Sequence, residues 1–434
     1  MTGARSRPRV LLSHAAYDLL ALLACACLLP GWLWRAARDR EQRRWLGERL
    51  GRLPPGAPAG RPVWVHAVSV GEVKACRSLL AALLARDPSA PLVLSTATLT
   101  GYATARALYP RLYVFQAPVD VRAVVRRVLA RLAPRALLLV ELEAWPALLR
   151  AADERGVPVA IVNGRITERS FRRYRAWRWW LPEFARVSLV AAQDERCTAR
   201  LAELGVQRSR VHVTGNLKHD QAQPAPPAAV AALARELGLD RGLPAFVAGS
   251  THAGEEQAAL AAWRAAGGAA VSRLVLVPRH PERAAEVARA VARAGQACVL
   301  RSGPDAARAG WSVLVADRMG ELEALFGSAA VVFLGGSLVP VGGHNVLEPA
   351  LAGCPVLVGP HLDNCRAEAD LLAAAGGLAV VADERALGAR LAALLADESA
   401  RRAMGEAART ASAGLRGAAE ADVRLLAEAG LLDA

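Results

Sequence analysis

Short apolar runs alternate with longer amphipathic segments over most of this 434-residue chain. The first run, Val63–Val68, follows a stretch rich in proline and glycine. Further runs of this kind predict strands at Leu92–Ser95, Ala136–Val140, Val159–Val162, Ser188–Ala191, Val211–Thr214, Ala245–Ala248, Arg273–Val277, Ala297–Leu300, Val331–Leu334, Val356–Val358 and Leu378–Val381. Strands that alternate with helices in this way are typical of a parallel sheet covered by helices on both faces. The pattern therefore predicts an α/β fold.

A proline- and alanine-rich segment, Gln221–Val230, interrupts the alternation and has the composition of an interdomain connector. The alternation resumes after it, which predicts two doubly wound, Rossmann-like domains facing a cleft at the carboxyl ends of their strands. We assign residues 37–222 to the N-terminal domain and residues 223–434 to the C-terminal domain.

The N-terminal segment is an almost continuous apolar run, Val10–Trp34, with arginines on both sides. About 20 apolar residues are needed to cross a bilayer, so the run is long enough. His14 and Asp18 within it count against a lipid-facing span. A membrane anchor over residues 1–36, either spanning or lying in the membrane, is favoured over a core helix. The arginines after the run favour a body on the cytoplasmic face.

The net charge of +14 indicates an anionic partner, which could be nucleic acid, a phospholipid surface or a phosphorylated substrate. The arginines are dispersed and no zinc-finger or RRM-type signature is present, so nucleic acid is disfavoured. Only two basic residues are lysines, Lys74 and Lys218. The seven cysteines contain no CxxC pair and the histidines no HxxH or HExxH spacing, so we predict neither a disulfide framework nor a metal site.

Two glycine pairs follow the predicted strand Val331–Leu334 and lead through His344 and Asn345 to Glu348. Glycines let a backbone approach a ligand closely, and the N-terminus of a helix directs unpaired N–H groups toward an anion. A carboxylate one turn into that helix suits ribose hydroxyls. The pattern predicts a nucleotide phosphate at this edge of the sheet, although glycines also serve ordinary turns.

Polar residues follow other predicted strands. Glu72, on the first turn of a helix after Val63–Val68, is a candidate general base, and an ordinary helix-terminal charge is the alternative. Glu141 and Glu143 follow a strand and suit either a site or a solvated loop. Lys218 follows the last strand of the first half and is expected to point toward the cleft.

The second half carries further polar turns. The segment Gly249–Glu256 follows a strand and is a candidate anion-binding turn. Arg279 stands at a strand end, where its guanidinium matches a phosphate or carboxylate. The triplet Gly320–Leu322 could hold a base edge through its backbone and carboxylate. Polar turns on both halves are difficult to explain by packing alone.

In this order, the motifs HAVSVGE, ELEAWP, NGRITERS, TGNLKHD, GSTHAGEE, PRHPER, MGELEALF and GGSLVPVGGHNVLEP resemble those of the 3-deoxy-D-manno-octulosonic acid (Kdo) transferases of Gram-negative lipopolysaccharide synthesis. The resemblance extends from the N-terminal anchor to His361. It implies a GT-B glycosyltransferase at the cytoplasmic face of the inner membrane, without a cofactor or metal. Its N-terminal half would bind the lipid A precursor and its C-terminal half CMP-Kdo.

The resemblance also implies roles for individual residues. Glu72 would be the general base that deprotonates a glucosamine hydroxyl as it attacks the anomeric carbon of Kdo, with inversion. Lys218 and Glu141 would support the transition state, with Glu143 as the alternative acid. The implied CMP-Kdo-binding residues are Ser250, Thr251, Pro278, Arg279, Gly320, Glu321, Leu322, Gly343, Asn345, Val346, Leu347 and Glu348.

Three residues depart from the family pattern. Val346 stands where proline is expected, Arg318 replaces a small polar residue, and His219 replaces an aromatic residue. Two other interpretations remain: another GT-B enzyme such as a sugar-nucleotide epimerase, which a membrane tether disfavours, and a non-catalytic scaffold that binds anionic lipid.

Overall fold

The computed structural model describes residues 7–142, 144–178, 183–307 and 310–433, which form two compact units. The first unit contains Met1–Gln221 and Arg416–Ala434, and the second contains Ala222–Leu415. Within the described ranges, each unit has one seven-stranded sheet whose neighbouring strands all run parallel. The predicted α/β architecture is confirmed.

The first unit begins with two helices and continues as alternating strands and helices. Its helices are α1 (Arg7–Arg38), α2 (Arg40–Arg49), α3 (Val70–Arg86), α4 (Leu99–Leu108), α5 (Arg122–Leu132), α6 (Pro146–Asp153), α7 (Glu168–Trp177) and α8 (Glu195–Glu203). Its strands are β1 (Val63–His66), β2 (Leu92–Thr96), β3 (Tyr113–Gln116), β4 (Ala136–Val140), β5 (Val159–Gly164), β6 (Leu189–Ala192) and β7 (Val211–Val213). They are ordered β3-β2-β1-β4-β5-β6-β7 in the sheet.

The second unit repeats this plan. Its helices are α9 (Pro227–Leu237), α10 (Glu255–Ala265), α11 (Ala284–Arg293), α12 (Leu322–Gly327), α13 (Leu347–Leu351), α14 (Arg366–Ala374), α15 (Glu384–Ala396) and α16 (Glu398–Ala413). Its strands are β8 (Ala245–Thr251), β9 (Arg273–Pro278), β10 (Cys298–Leu300), β11 (Val313–Val315), β12 (Val331–Leu334), β13 (Val356–Val358) and β14 (Leu378–Val380). Their order is β10-β11-β9-β8-β12-β13-β14.

The inner strands are buried on both faces, because helices cover each side of the sheet. Every residue of β1, β2 and β4 is buried, and so is every residue of β12 and β13. Continuous apolar runs of this kind are what a doubly covered parallel sheet requires. Trp64 and Phe115 fill one side of the first sheet, with ring centroids 5.5 Å apart.

Two strands were not predicted from the sequence: β3 and β11. Each contains only three or four residues, and β11 lies in a segment without a clear amphipathic helix before it. A short apolar run of this length does not differ in pattern from a loop that packs on the core.

The last helix, α17 (Ala418–Glu428), belongs to the first unit and not to the second, although the chain reaches it from the second unit. Its apolar residues pack in the same cluster as α3 and β1. Asp220 accepts hydrogen bonds from the backbone N–H groups of Gly417, Ala418 and Ala419 at 2.7, 3.3 and 2.7 Å. The sequence-based assignment of 223–434 to one domain did not anticipate this return.

Within the described part of the chain, one helix, over Leu12–Arg38, is long and apolar enough to cross a bilayer by length and composition. It coincides with the apolar run that predicts an anchor.

Candidate active-site residues in the two units

Glu72 lies on the first turn of α3, directly after β1. The Ser69 hydroxyl donates to Glu72 Oε1 at 2.8 Å, and the Val68 N–H donates to Glu72 Oε2 at 2.7 Å. Desolvation raises the pKa of Glu72, and these hydrogen bonds lower it, with a net upward shift. A held carboxylate with a raised pKa is a better proton acceptor than a solvated one, as a general base must be.

Glu141 follows β4, the strand beside β1, and its backbone is in the left-handed region at φ 62°. Its N–H donates to the Val162 carbonyl at 3.0 Å, which continues the strand pairing through the unusual conformation. Non-glycine residues in this region carry backbone strain that is concentrated at functional sites. The negative charge of Glu141 contributes to the raised pKa of Glu72, so the two carboxylates interact. Glu143 lies outside the described residues.

Lys218 is exposed on the loop after β7, and the backbone of this loop is held on both sides. The Leu217 N–H donates to Asn163 Oδ1 at 3.0 Å, and the Ser78 hydroxyl donates to the Leu217 carbonyl at 3.4 Å. Because Ser78 is on α3, the loop that carries Lys218 is attached to the helix that carries Glu72. The predicted trio thus stands at the carboxyl-terminal edge of one sheet.

Asn163 was not assigned a role from the sequence, yet it organises this edge. It is fully buried at the end of β5 with φ 54°, a left-handed conformation that asparagine tolerates better than most residues. Its side-chain oxygen accepts from Leu217 N–H and from Gln193 Nε2, both at 3.0 Å. The signal available in the sequence was a polar Asn-Gly pair at the end of an apolar strand.

In the second unit, the glycine-rich loop after β12 is organised by Glu255, a fully buried carboxylate. Its Oε1 accepts from the N–H groups of Ser337 and Leu338 at 3.0 and 2.9 Å. Its Oε2 accepts from Gly336 and His252 N–H at 2.7 and 2.9 Å. Three of these charge-assisted hydrogen bonds hold the glycine-rich loop in one conformation, and the fourth holds the turn before α10. The sequence alone did not predict a role for Glu255.

Glycine is required where this loop meets the end of β8. A Cβ on Gly335 would lie 2.5 Å from the carbonyl oxygen of Ser250 and 2.6 Å from the Cα of Thr251. Ser250 has φ 54°. Further along, Gly343 has φ 79°, and its N–H donates to the Gly336 carbonyl at 2.7 Å. The first glycine pair therefore allows backbone-to-backbone packing, and the second closes the loop.

Arg279, His344 and Glu348 lie close enough to interact electrostatically. Burial raises the pKa of Glu348, and Asn345, which donates to Glu348 Oε1 at 3.0 Å, lowers it together with Arg279. Desolvation lowers the pKa of His344, and the charges of His252 and Arg279 lower it further. The exposed Arg279 guanidinium therefore lies near the Glu348 carboxyl group and the His344 imidazole.

His252 and His344 meet edge to edge, with ring centroids 5.2 Å apart and ring planes 9° from parallel. Their Nε2 atoms are 2.9 Å apart, so one ring donates and the other accepts. Together with Arg279 they place hydrogen-bond donors and positive charge on the same strand ends as the glycine loop. An anionic group is the ligand that this arrangement suits.

The remaining residues that the sequence predicts to bind CMP-Kdo differ in what their side chains contact. The Glu321 carboxylate is bound by both nitrogens of the Arg301 guanidinium fork, at 2.8 and 2.9 Å. Val346 and Leu347 are buried in the core of the unit. Any contact that Val346 or Leu347 makes with a ligand is therefore through the backbone, and the Glu321 carboxylate is already engaged.

Ser250, Thr251 and Pro278 lie at the ends of the neighbouring strands β8 and β9, and Arg279 follows directly. Thr251 is buried and donates to Glu256 Oε1 at 3.1 Å, while the Thr251 carbonyl accepts from Arg279 N–H at 2.9 Å. Gly320 has φ 83° before α12. Of these positions, Ser250 and Thr251 lie against Gly335 in the loop that Glu255 holds. Among the described residues, no group of three or more His, Cys, Asp or Glu side chains is placed to hold a metal ion.

Two units that each contain a doubly wound parallel sheet have the architecture of the GT-B fold. UDP-GlcNAc 2-epimerase from Neisseria meningitidis, bound to UDP-GlcNAc, has the same fold with a TM-score of 0.56. The match covers 85% of this chain and 100% of that chain at 12% identity, which supports the fold alone.

The family follows from the sequence comparisons. Residues 44–221 match the family described as 3-Deoxy-D-manno-octulosonic-acid transferase (kdotransferase). The 3-deoxy-D-manno-octulosonic acid transferase of Bordetella pertussis is 37% identical over 422 residues, 92% of this chain and 95% of that protein. That of Haemophilus influenzae is 32% identical over 338 residues, 76% of this chain and 78% of that protein. This chain belongs to the Kdo transferase family and is a glycosyltransferase.

Proposed function

We propose that this enzyme transfers Kdo from CMP-Kdo to a glucosamine hydroxyl of the lipid A precursor, in lipopolysaccharide synthesis at the cytoplasmic face of the inner membrane. The observation that carries the proposal is the Glu72 carboxylate, desolvated and held by two hydrogen bonds at the sheet edge of a Kdo transferase. It has the position and the raised pKa that a general base needs.

In the proposed reaction, the acceptor hydroxyl loses its proton to Glu72 while its oxygen bonds to the anomeric carbon of Kdo. The bond from that carbon to the phosphate oxygen breaks, and CMP leaves with the electron pair. Attack opposite to the leaving group inverts the anomeric configuration. Negative charge accumulates on CMP, so fixed donors near it stabilise the transition state more than the ground state.

The donor side is proposed to be the loop held by Glu255 together with Arg279. CMP-Kdo carries one phosphodiester and one carboxylate, and the Arg279 guanidinium matches either group. Glu348, which is half-buried and accepts a hydrogen bond from the Asn345 amide, suits ribose hydroxyls. The backbone at Gly320 and Asn345 suits the cytosine edge and the phosphate, in agreement with the family resemblance.

Lys218 and Glu141 are proposed to support the transition state from the acceptor side. Lys218 offers a compact positive charge on a loop anchored to α3. Glu141 keeps the pKa of Glu72 high through its own negative charge. Arginines near the apolar N-terminal helix suit a phosphorylated lipid at an anionic membrane.

The test is incubation of detergent-extracted protein with tetraacyl lipid A precursor and CMP-Kdo generated in situ, with products read by mass spectrometry. We expect a product heavier by one or more Kdo units, formed equally with EDTA and with added magnesium. No product under either condition, despite measured CMP binding, would refute the proposed acceptor. A product formed only with magnesium would refute the metal-independent mechanism.

A further inference from the structure

Near its start, the N-terminal helix α1 contacts the first unit through three polar side chains, two of which form hydrogen bonds. Tyr17 donates to Asp120 Oδ2 at 2.6 Å, and Arg150 donates to Asp18 Oδ1 at 2.6 Å. His14 Nε2 lies 2.7 Å from Glu183 Oε1. The three helix residues are spaced by three and four positions, so they lie on one face.

The partners of these three residues are integral parts of the folded unit. Asp120 also accepts from the N–H groups of Ala147 and Leu148 at the start of α6. Arg150 is on α6 itself and is buried, as is Glu183. A charged side chain buried without its partner is costly, so these contacts fix the start of α1 on the protein.

The other end of α1 is held by the same unit through α2. Trp32 packs edge-on against Trp45, with ring centroids 5.6 Å apart, and Ala36 is buried. The helix α2 is tied to the strand β3, because the Gln116 N–H donates to Glu48 Oε2 at 2.8 Å. Both ends of α1 are therefore attached to one folded unit.

Between its ends, α1 has two distinct faces. The face with less exposure recurs every three or four residues and consists of His14, Asp18, Ala21, Cys25, Leu29, Trp32 and Ala36. The rest of the helix surface exposes more than half of each large apolar residue, and these residues are Leu12, Leu19, Leu20, Leu22, Leu23, Leu28, Leu33 and Trp34. One face rests on the protein and the other is uncovered.

The separation of the two attachments conflicts with a spanning helix. From His14 to Ala36 the helix rises about 33 Å, slightly more than the roughly 30 Å hydrocarbon core of a bilayer. Were α1 to cross the membrane, the residues that bind its start would lie on one side, and its end, which packs on α2 of the same folded unit, would lie on the other. The folded unit would then lie inside the bilayer. The polar groups on its surface would have no hydrogen-bond partners there, so this arrangement is excluded.

We infer that α1 does not cross the membrane but lies in the plane of its surface. Its less exposed face rests on the first unit, and its exposed leucine face lies in the bilayer. This rests on the membrane anchoring proposed above and specifies its geometry. The exposed arginines that follow the leucine face, Arg35, Arg38, Arg40, Arg43 and Arg44, place positive charge where anionic headgroups lie. This positive charge favours an anionic bilayer as the partner of the leucine face and disfavours a second copy of this strongly basic chain.

The depth of single spin labels in vesicles of phosphatidylethanolamine and phosphatidylglycerol tests the inference. The labels are attached at three positions on one face, 11 residues apart, through Leu12→Cys, Leu23→Cys and Trp34→Cys. Each substitution is made in full-length protein in which cysteines 25, 27 and 298 are replaced by alanine. An in-plane helix gives the three labels equal depth from oxygen and nickel-complex accessibility. A spanning helix puts the label at 23 about 16 Å deeper than the other two, which would overturn the inference.

Two substitutions test the two faces of α1 independently. Asp18→Leu removes a charge from an apolar helix, which favours a spanning helix but leaves Arg150 unpaired in an in-plane one. We expect a lower thermal unfolding midpoint in detergent for Asp18→Leu, and an unchanged midpoint with weaker vesicle binding for Leu22→Ser. An unchanged midpoint for Asp18→Leu would contradict the docking of α1.

Two further outcomes are distinguishable. Labels on the leucine face that are shielded from both oxygen and the nickel complex would show a second copy there and overturn the inference. Protein that transfers Kdo in detergent yet does not bind vesicles would refute the anchoring itself, and with it the in-plane geometry, while leaving the proposed reaction standing.

Discussion

The two units present different parts of the chain at their strand ends. In the first, side chains that change or carry charge stand at the sheet edge: Glu72, Glu141 and Lys218. In the second, a glycine-rich loop stands at the strand ends, and the buried carboxylate of Glu255 accepts hydrogen bonds from its backbone and holds it in place. Proton transfer needs a side chain whose pKa can be adjusted, whereas holding a nucleotide needs fixed N–H groups. The comparison predicts that substitutions in the first unit change turnover and those in the second change donor affinity.

The largest effect is expected for Glu72→Ala. Loss of a general base typically lowers turnover by about 10²–10⁴-fold, and CMP affinity should be unchanged because the residue is in the other unit. Steady-state turnover and CMP titration calorimetry measure the two quantities. Glu195→Ala is the matched control, since Glu195 is also an acid on the first turn of a helix at this sheet edge but is exposed. Lost CMP binding in a folded Glu72→Ala protein would contradict the division of roles.

Glu255→Gln should have the next largest effect, and this effect should be on donor affinity and not on turnover. The amide replaces one acceptor oxygen with a donor that faces two backbone N–H groups, which is expected to lower the free energy of unfolding by about 2–4 kcal/mol. CMP affinity should fall as the loop loses its single conformation. Denaturant unfolding and CMP titration measure these effects.

The control for this variant is Glu384→Gln, a carboxylate on the exposed first turn of α15. We expect no change in unfolding or CMP affinity there. If Glu255→Gln leaves CMP affinity at the wild-type level, the loop is not the donor surface.

Lys218→Met should lower turnover by about 10-fold or more, since a positive charge near a developing anion is lost. Lys218→Arg should restore part of the loss. The only other lysine, Lys74, is exposed on α3 and supplies the control Lys74→Met, for which wild-type turnover is expected. Equal effects of the two Met substitutions would show that charge in general, and not Lys218, matters.

The smallest effect concerns pH. Glu72 must be deprotonated to accept a proton, so turnover should fall as pH drops through its raised pKa. Glu141→Gln removes a neighbouring negative charge and should move this acidic limb to lower pH. The pH dependence of turnover, compared between wild type and Glu141→Gln, measures the shift. A limb that stays in place, or moves to higher pH, would show that Glu141 does not act on Glu72.

Much of the fold could be predicted because parallel strands are continuous apolar runs, as at β4, β12 and β13. The family could be recognised because its motifs follow strand ends in a fixed order. Glu255 and Asn163 were missed as organisers because their function depends on which distant N–H groups they meet. The role of α1 depends on Asp120, Arg150 and Glu183, which lie more than one hundred residues away.

The return of α17 to the first unit has a consequence for how the chain folds during synthesis. Asp220 has to be synthesised before its hydrogen-bond partners, the backbone N–H groups of Gly417, Ala418 and Ala419. They leave the ribosome roughly two hundred residues later. At translation rates of about 5–20 residues per second, that interval is about 10–40 seconds. During it, the second unit is completed while the first still lacks its covering helix, so the N-terminal unit is expected to mature last. Limited proteolysis of stalled nascent chains should show protection of the second unit first.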